Sequence, residues 1–310
     1  MRGRPKVTIV GAGMVGHTTA HWLASQELAD LVLVDVIDKM PMGKALDLTQ
    51  ALPVAGWDVR VVGSNGYAET AGSDVVVIIA GIARKPGMTR EQLLETNTGI
   101  VRGVVEQVMR YSPEAFLVVV TNPLDAMTYL TAKVSGLPRH RVIGESGALD
   151  STRFRAFLAM EAGVSVEDVS AMVIGAHTDK DMVPLPRFAS IGGVPLAQFL
   201  SPDRIAAVVA RTRRGGAEIT ELVGTSAFFA PGAAIAQMVE ALVRDKKRLI
   251  PCSVYLNGEY GERDVCIGVP VILGGGGVEK IVDLPLDAQE RAAFKASVAA
   301  VREQLGALKL

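Results

Sequence analysis

Apolar and polar positions change rhythm along this chain. In the first half, short runs rich in Val, Ile and Leu (KVTIV, LVLVDV, DVRVVG, SDVVVIIAGIA, AFLVVVTNP and RVIG) alternate with stretches whose apolar residues recur at helical spacing. The latter are MVGHTTAHWLA, GKALDLTQAL, TGIVRGVVEQVMRY and LDAMTYLTAKVSG. The short runs carry little polar alternation, which predicts parallel strands covered on both faces, and their alternation with helices predicts βαβ units. After about Gly144 the rhythm shifts. A long helix near STRFRAFLAMEAG precedes a strand VSAMVIG, a helical stretch from Asp203 to Val223, and then Pro- and Gly-punctuated strands ending in VPVILGGGGVEKIVDLPL. Asp287 and Glu290 are spaced as a capping box for a last helix, whose Phe294, Val298, Val301, Leu305 and Leu308 form one stripe. The expected fold is therefore α/β, with a doubly wound parallel sheet over residues 1–145 and an α+β domain over residues 146–310.

Composition narrows the partners. With 32 basic against 33 acidic residues and a net charge of −1, the chain has no electrostatic footprint for nucleic acid or a membrane surface. The apolar runs are too short to cross a bilayer, and MRGRPK leads directly into a strand, so a cytoplasmic location is expected. Only Cys252 and Cys266 occur, too few for a disulfide framework or a four-cysteine zinc site, and both are read as buried thiols.

The chemistry begins at GAGMVG, that is Gly11, Ala12, Gly13, Met14, Val15 and Gly16, which follows a strand and opens a helix. Gly11 permits a tight turn, Gly13 lets backbone amides approach a pyrophosphate, and Gly16 lets helix and strand pack closely. Asp35, nineteen residues after Gly16, ends the second strand and can accept hydrogen bonds from an adenosine ribose while repelling a 2′-phosphate. These features specify a Rossmann nucleotide site that takes NAD rather than NADP. His17 and His21 stand at i, i+4 but lack the internal Glu of a zinc helix, and GGGG at Gly274–Gly277 reads as a hairpin turn. In IGAHTDKDMVPLPR, His177, Asp179 and Asp181 alternate, so on an extended chain they would share a side as metal ligands do; a catalytic base or a plain loop are the other readings. ARKPGMTR places Arg84 and Arg90 after a sheet strand, Thr121-Asn122-Pro123 ends another, and Asp150 and Arg153 share a helix face at i, i+3.

Taken in order, GAGMVG with Asp35, ARKPGMTR, VTNPLDAMTYL, GALDSTRFR, MVPLPRFASIGG and GVPVILGGGGVEKI resemble the lactate and malate dehydrogenase family, specifically its lactate-dehydrogenase-like malate dehydrogenases. The resemblance spans nearly the whole chain. It implies NAD-dependent interconversion of malate and oxaloacetate as in the tricarboxylic acid cycle, a small dicarboxylate substrate, no metal, and a homo-oligomer, with a tetramer favoured over a dimer. It makes His177 the proton acceptor and donor, oriented by Asp150, and Arg153 the clamp on the carboxylate next to the reacting carbon. Arg90, on a mobile loop, would polarise the carbonyl, and Asn122 would bond the substrate oxygen. Val120, Thr121, Asn122 and Asn97 belong to the cofactor side, with Val120, Asn122 and Asn97 lining the nicotinamide and its ribose. Arg84 would take the second carboxylate, where lactate enzymes of the family carry Gln; an unpaired anion buried by a closing loop is costly. Rival readings are a lactate or other 2-hydroxyacid dehydrogenase, a weakly active NAD-binding homologue, and a metal-dependent hydrolase built on His177, Asp179 and Asp181. The chain departs from the family's Gly-Gly-His-Gly-Asp pattern at Ala176 and Thr178, and Lys180-Asp181 adds one residue before Met182. A locally different loop is expected there.

Overall fold

A computed structural model describes residues 3–83 and 87–308. The expected βαβ grammar appears as β1 (Lys6–Val10), α1 (Met14–Ser25), β2 (Asp30–Val34), α2 (Met40–Ala55), β3 (Val61–Ser64), β4 (Val75–Ile78), α3 (Arg90–Tyr111), β5 (Phe116–Val119), α4 (Leu124–Ser135) and β6 (Val142–Gly144). These strands lie in the order β3-β2-β1-β4-β5-β6, all parallel, which is the doubly wound arrangement. Val7, Ile9, Val75 to Ile78 and Leu117 to Val119 are buried, as strands sandwiched between two helix layers require.

The second half runs through α5 (Gly147–Ala162), β7 (Val169–Ser170), β8 (Val173–Gly175), β9 (Met182–Pro184), β10 (Ser190–Ile191), β11 (Val194–Pro195), α6 (Pro202–Val223), α7 (Phe229–Val243), β12 (Arg248–Asn257), β13 (Arg263–Gly274), β14 (Gly277–Ile281) and α8 (Ala288–Gly306). Its sheet does not stand apart from the first. β12 pairs antiparallel with β6 through Ser253 and Gly144, and the sheet continues through β13, β8 and β9. Gly144 permits this join, since a Cβ there would press on Thr128 Oγ1 at 2.5 Å and Ser253 Cβ at 2.8 Å. One apolar cluster accordingly contains Val7, Ile9 and Leu31 together with Ile235, Val254 and Ile267.

Two elements differ from the sequence reading. The stretch FAPGAAIAQMVEALV is helix α7, where only punctuated strands were expected. It is apolar nearly all round and mostly buried, so only Gln237 and Glu240 mark its less buried side, and its early Pro231 and Gly232 mimic a turn. Gly232 instead lets α7 press on α1, its Cβ position lying 2.9 Å from Thr18 Cγ2. The run VSAMVIG is also two strands rather than one, β7 pairing with β10 and β8 with β9 and β13. The C-terminal helix follows expectation at its start, where the Asp287 carboxylate accepts from Gln289 and Glu290 N–H while Glu290 caps in return; of the expected stripe Phe294, Val298 and Val301 are buried, Leu305 is half-buried, and Leu308 lies beyond the helix end at Gly306. Gly274 and Gly277 pair across a two-residue hairpin turn, and Cys252 and Cys266 are buried free thiols. Among the described residues, no helix is long and apolar enough to cross a membrane.

Candidate active site

The carboxyl ends of the parallel strands carry the candidate groups to one edge of the sheet. After β1, Gly11 turns with φ +105°, and a Cβ there would strike Ala80 N at 2.7 Å. A Cβ on Gly16 would collide with the Gly11 carbonyl oxygen, so only glycine lets α1 start this close to β1. Gly13 differs: it is exposed and nothing stands within 4 Å of its Cβ position. As the N-cap of α1 it provides no side-chain cap, leaving the first-turn amides of Met14, Val15 and Gly16 at the positive helix end for an anion. The Asp35 carboxylate accepts from Ala12 N at 2.8 Å and Ile37 N at 3.0 Å, so it is fixed at the mouth of this cradle. Lys44 donates to Ala12 O at 2.6 Å and bonds His17 Nδ1 at 3.0 Å; burial and the Lys44 charge lower the His17 pKa. An open glycine, an uncapped helix start and a fixed carboxylate together fit a dinucleotide with a free ribose 2′-hydroxyl. His21 packs edge-on against Trp57.

The loops after β4 and β5 form the adjoining wall. Asn97 of α3 is fully buried; its amide accepts from Ile82 N at 2.8 Å and donates to Ile82 O at 3.1 Å and Asn122 O at 2.7 Å. Its side chain thus braces the two loops from behind, and what it offers the cleft is the backbone it holds. Thr121 is likewise buried and donates to Ala80 O at 2.8 Å, whereas Asn122 is exposed and Val120 half-buried. Arg84 lies outside the described residues. Arg90 is corrected from a loop residue to the first residue of α3, because Thr89 before it and Gln92 after it close a reciprocal capping box. A cation at a helix N-terminus opposes the macrodipole, so helix stability does not account for its placement.

The loops after β6 and β8 bring the proton chemistry together. His177 Nδ1 lies 2.7 Å from Asp150 Oδ2, and Arg153 Nη1 donates to Asp150 Oδ1 at 3.2 Å along α5. The Asp150 side chain is 2% exposed and that of His177 15%, so the imidazole is held from inside and reached from one side. The Nε of Arg153 is buried without a partner, a donor that an entering carboxylate would satisfy. Gly215 and Gly216 of α6 give the guanidinium its space, their Cβ positions lying 3.2 Å from Arg153 Cδ and 3.5 Å from Nη2.

A second set of groups fixes the histidine loop. The Asp125 carboxylate accepts from His177 N at 2.9 Å and from Ser253 Oγ at 2.6 Å; burial pushes this carboxyl up to about 6 even though both bonds pull it down. Ser297 of α8 accepts from Ala176 N at 2.7 Å. The positive φ falls on Gly175, at +86°, and neither Ala176 nor Thr178 has one, so the two replaced glycines were not needed for backbone freedom. Thr178 contributes what glycine could not: its hydroxyl donates to Asp181 Oδ2 at 2.8 Å and accepts from Asp181 N at 3.0 Å, closing the longer loop on itself. The chain bends here, with Thr178 N bonded to Ala176 O, so the alternation that suggested His177, Asp179 and Asp181 as metal ligands does not exist in space. Among the described residues, no group of three or more His, Cys, Asp or Glu is placed to hold a metal ion.

Burial disfavours the imidazolium of His177, but the Asp150 charge and hydrogen bond, joined by Glu145, outweigh it and raise the pKa to about 9. Sequence reasoning did not single out Asp125, Glu145, Ser253 or Ser297. The available signal was a carboxylate inside an apolar stretch, in LDAMTYL and GESGAL, since a charge in a buried segment needs a reason.

Comparison with known proteins agrees along the chain. Residues 5–144 match the family model for the lactate/malate dehydrogenase NAD binding domain, and residues 147–309 that for the lactate/malate dehydrogenase alpha/beta C-terminal domain. The chain is 54% identical over 307 residues to the malate dehydrogenase of Roseiflexus sp. (strain RS-1), covering 99% of both chains. It superposes on the solved malate dehydrogenase of Salinibacter ruber with a TM-score of 0.93 at 49% identity, over 97% of each chain. It also superposes on the Cryptosporidium parvum lactate dehydrogenase solved with lactic acid and NAD, with a TM-score of 0.95 at 41% identity, over 99% of this chain and 98% of that one.

Proposed function

The chain belongs to the lactate/malate dehydrogenase family, and from that premise we propose that it is an NAD-dependent malate dehydrogenase in which His177 carries the proton. Bound NAD supplies the hydride acceptor at its nicotinamide ring. Gly13, the α1 amides and Asp35 would hold the dinucleotide, and Val120 and Asn122 would wall its nicotinamide side. Arg153 clamps the carboxylate next to the reacting carbon, its unpartnered Nε being the donor left for that purpose. In malate oxidation His177 accepts the hydroxyl proton, and Asp150 stabilises the imidazolium that results. In the reverse direction the same imidazolium returns the proton, with Arg90 stabilising charge that gathers on the carbonyl oxygen. Asn97 and Asp125 hold the loops that carry Asn122 and His177.

The observation that carries this reading is the Arg153–Asp150–His177 line, a carboxylate clamp and a proton carrier joined through one buried acid. The fold alone does not choose between malate and lactate, since enzymes of both names superpose on this chain. Arg84 and the full-length identity to malate dehydrogenases favour the dicarboxylate. We place the domain boundary between residues 145 and 146, and the enzyme in the cytoplasm as a homotetramer serving the tricarboxylic acid cycle. Balanced charge supports the location, and the resemblance to the lactate-dehydrogenase-like branch supports the assembly and the pathway. NADH oxidation with oxaloacetate, at least tenfold faster than with pyruvate on kcat/KM and unchanged by EDTA, is the expected result, the size of the preference being about that of one desolvated charge pair. Equal rates with the two oxoacids would return the protein to the 2-hydroxyacid class, and loss of activity in EDTA would point to a metal.

A further inference from the structure

The three acids around His177 are treated unequally. Asp150 bonds the imidazole and Arg153, and Asp125 bonds the His177 amide and Ser253. Glu145, only 3% exposed, has a buried Oε1 with no donor. A buried carboxyl left unbonded costs stability, so its presence asks for another reason. The backbone that carries it is fixed. Its N–H donates to Val119 O at 3.0 Å, its carbonyl accepts from Ala148 N at 3.0 Å, and Ser146 beside it is held at φ +33°. The next residue, Gly147, is packed so closely that a Cβ would meet Val173 O at 2.5 Å. A strained, non-glycine positive φ in a fully packed turn marks a segment whose geometry is imposed by its surroundings.

We propose, resting on the dehydrogenase reading above, that Glu145 is a further positioning residue of the reaction: a buried, unbonded carboxyl on a fixed turn that acts through His177 by its charge. The groups facing it are His177, Arg153 and Asp150, with the Cys252 thiol kept protonated by burial. Burial is the largest influence on Glu145 and pushes it up to about 8, against the pull of His177 and Arg153. For His177, burial and Arg153 oppose the proton while Asp150 and Glu145 retain it, and Asp125 faces it from α4. Below about pH 8 Glu145 is therefore a neutral acid. Above that, its carboxylate acts on the imidazolium through its charge and delays loss of the imidazole proton.

The test is a titration of His177 in the full-length enzyme labelled with 13C at histidine Cε1. The chain has only four histidines, and the His177 signal is assigned by its absence in His177→Asn. In Glu145→Gln the His177 midpoint falls by about half a unit or more, and the alkaline limb of kcat for oxaloacetate reduction moves with it, about threefold lower on that limb. Glu145→Met, neutral and of similar length, gives the same displacement, because the effect is one of charge. An unmoved or raised midpoint in both variants overturns the proposal, and a uniform loss of turnover at every pH with an unmoved midpoint assigns Glu145 a packing role instead. If His177→Asn keeps its turnover, the dehydrogenase assignment of His177 fails, and the Glu145 titration separates that failure from this one.

Discussion

The nucleotide cradle and the proton-transfer cluster are built in opposite ways. The cradle comes from a short contiguous stretch, Gly11 to Gly16, plus one acid at the end of the next strand, and its critical contacts are steric. The cluster gathers Asp125, Glu145, Asp150, Arg153, His177, Ser253 and Ser297 from three helices, a strand and two loops, and its critical contacts are charged and buried. Local geometry makes the first robust and readable, whereas the second exists only once β12 and α8 have closed on the parallel sheet.

Variants in one region should leave the other alone, which gives the contrast its sharpest tests. Asp150→Asn removes the charge that holds the imidazolium and should lower kcat by at least about a hundredfold, in line with the loss of one general acid-base partner. NADH affinity, read by fluorescence, should be unchanged; a parallel loss there would show that the two regions are one. Arg84→Gln should lower kcat/KM for oxaloacetate by at least about tenfold and raise the relative rate with pyruvate, the scale of a desolvated charge pair. Unaltered oxaloacetate kinetics would remove Arg84 from the substrate site.

Within the cradle, two glycines make opposite predictions. Gly13→Ala adds a methyl to open space, so the melting temperature should hold while the NADH dissociation constant rises by about tenfold, the cost of about 1.4 kcal/mol of lost backbone approach. Gly16→Ala drives a methyl into the Gly11 carbonyl and should lower the melting temperature by at least about 3 °C, as overpacking does. Calorimetry with and without NADH checks both, and equal behaviour of the two variants would contradict the steric reading.

The same division explains what could be read before folding. GAGMVG, Asp35 and the Val-rich strands declare a parallel sheet and its nucleotide edge because strand period and turn chemistry are local. Helix α7 was hidden because it is apolar nearly all round, with only Gln237 and Glu240 marking its less buried side, and because Pro231 and Gly232 mimic a turn. Asp125 was hidden because its partners Ser253 and His177 are remote in sequence, and Glu145 because no bond marks its Oε1. Arg90 stands in a helix rather than a loop because the letters T-x-x-Q at Thr89 and Gln92 form a cap. The loop around His177 was expected to differ locally; within it Gly175 takes the positive φ, and Thr178 and Asp181 stabilise the turn.

The pH dependence of oxaloacetate reduction, measured with saturating NADH for the wild-type chain and His177→Asn, tests the central claim most directly. Reduction needs the imidazolium, and the raised pKa of His177 keeps that form populated up to about 9, so kcat should be flat through neutrality and fall as pH rises through that value. The variant should lose that limb together with nearly all turnover. A wild-type profile that falls near the ordinary histidine pKa of about 6.5 would contradict the buried Asp150 pairing, and a variant that keeps both rate and limb would show that another group carries the proton.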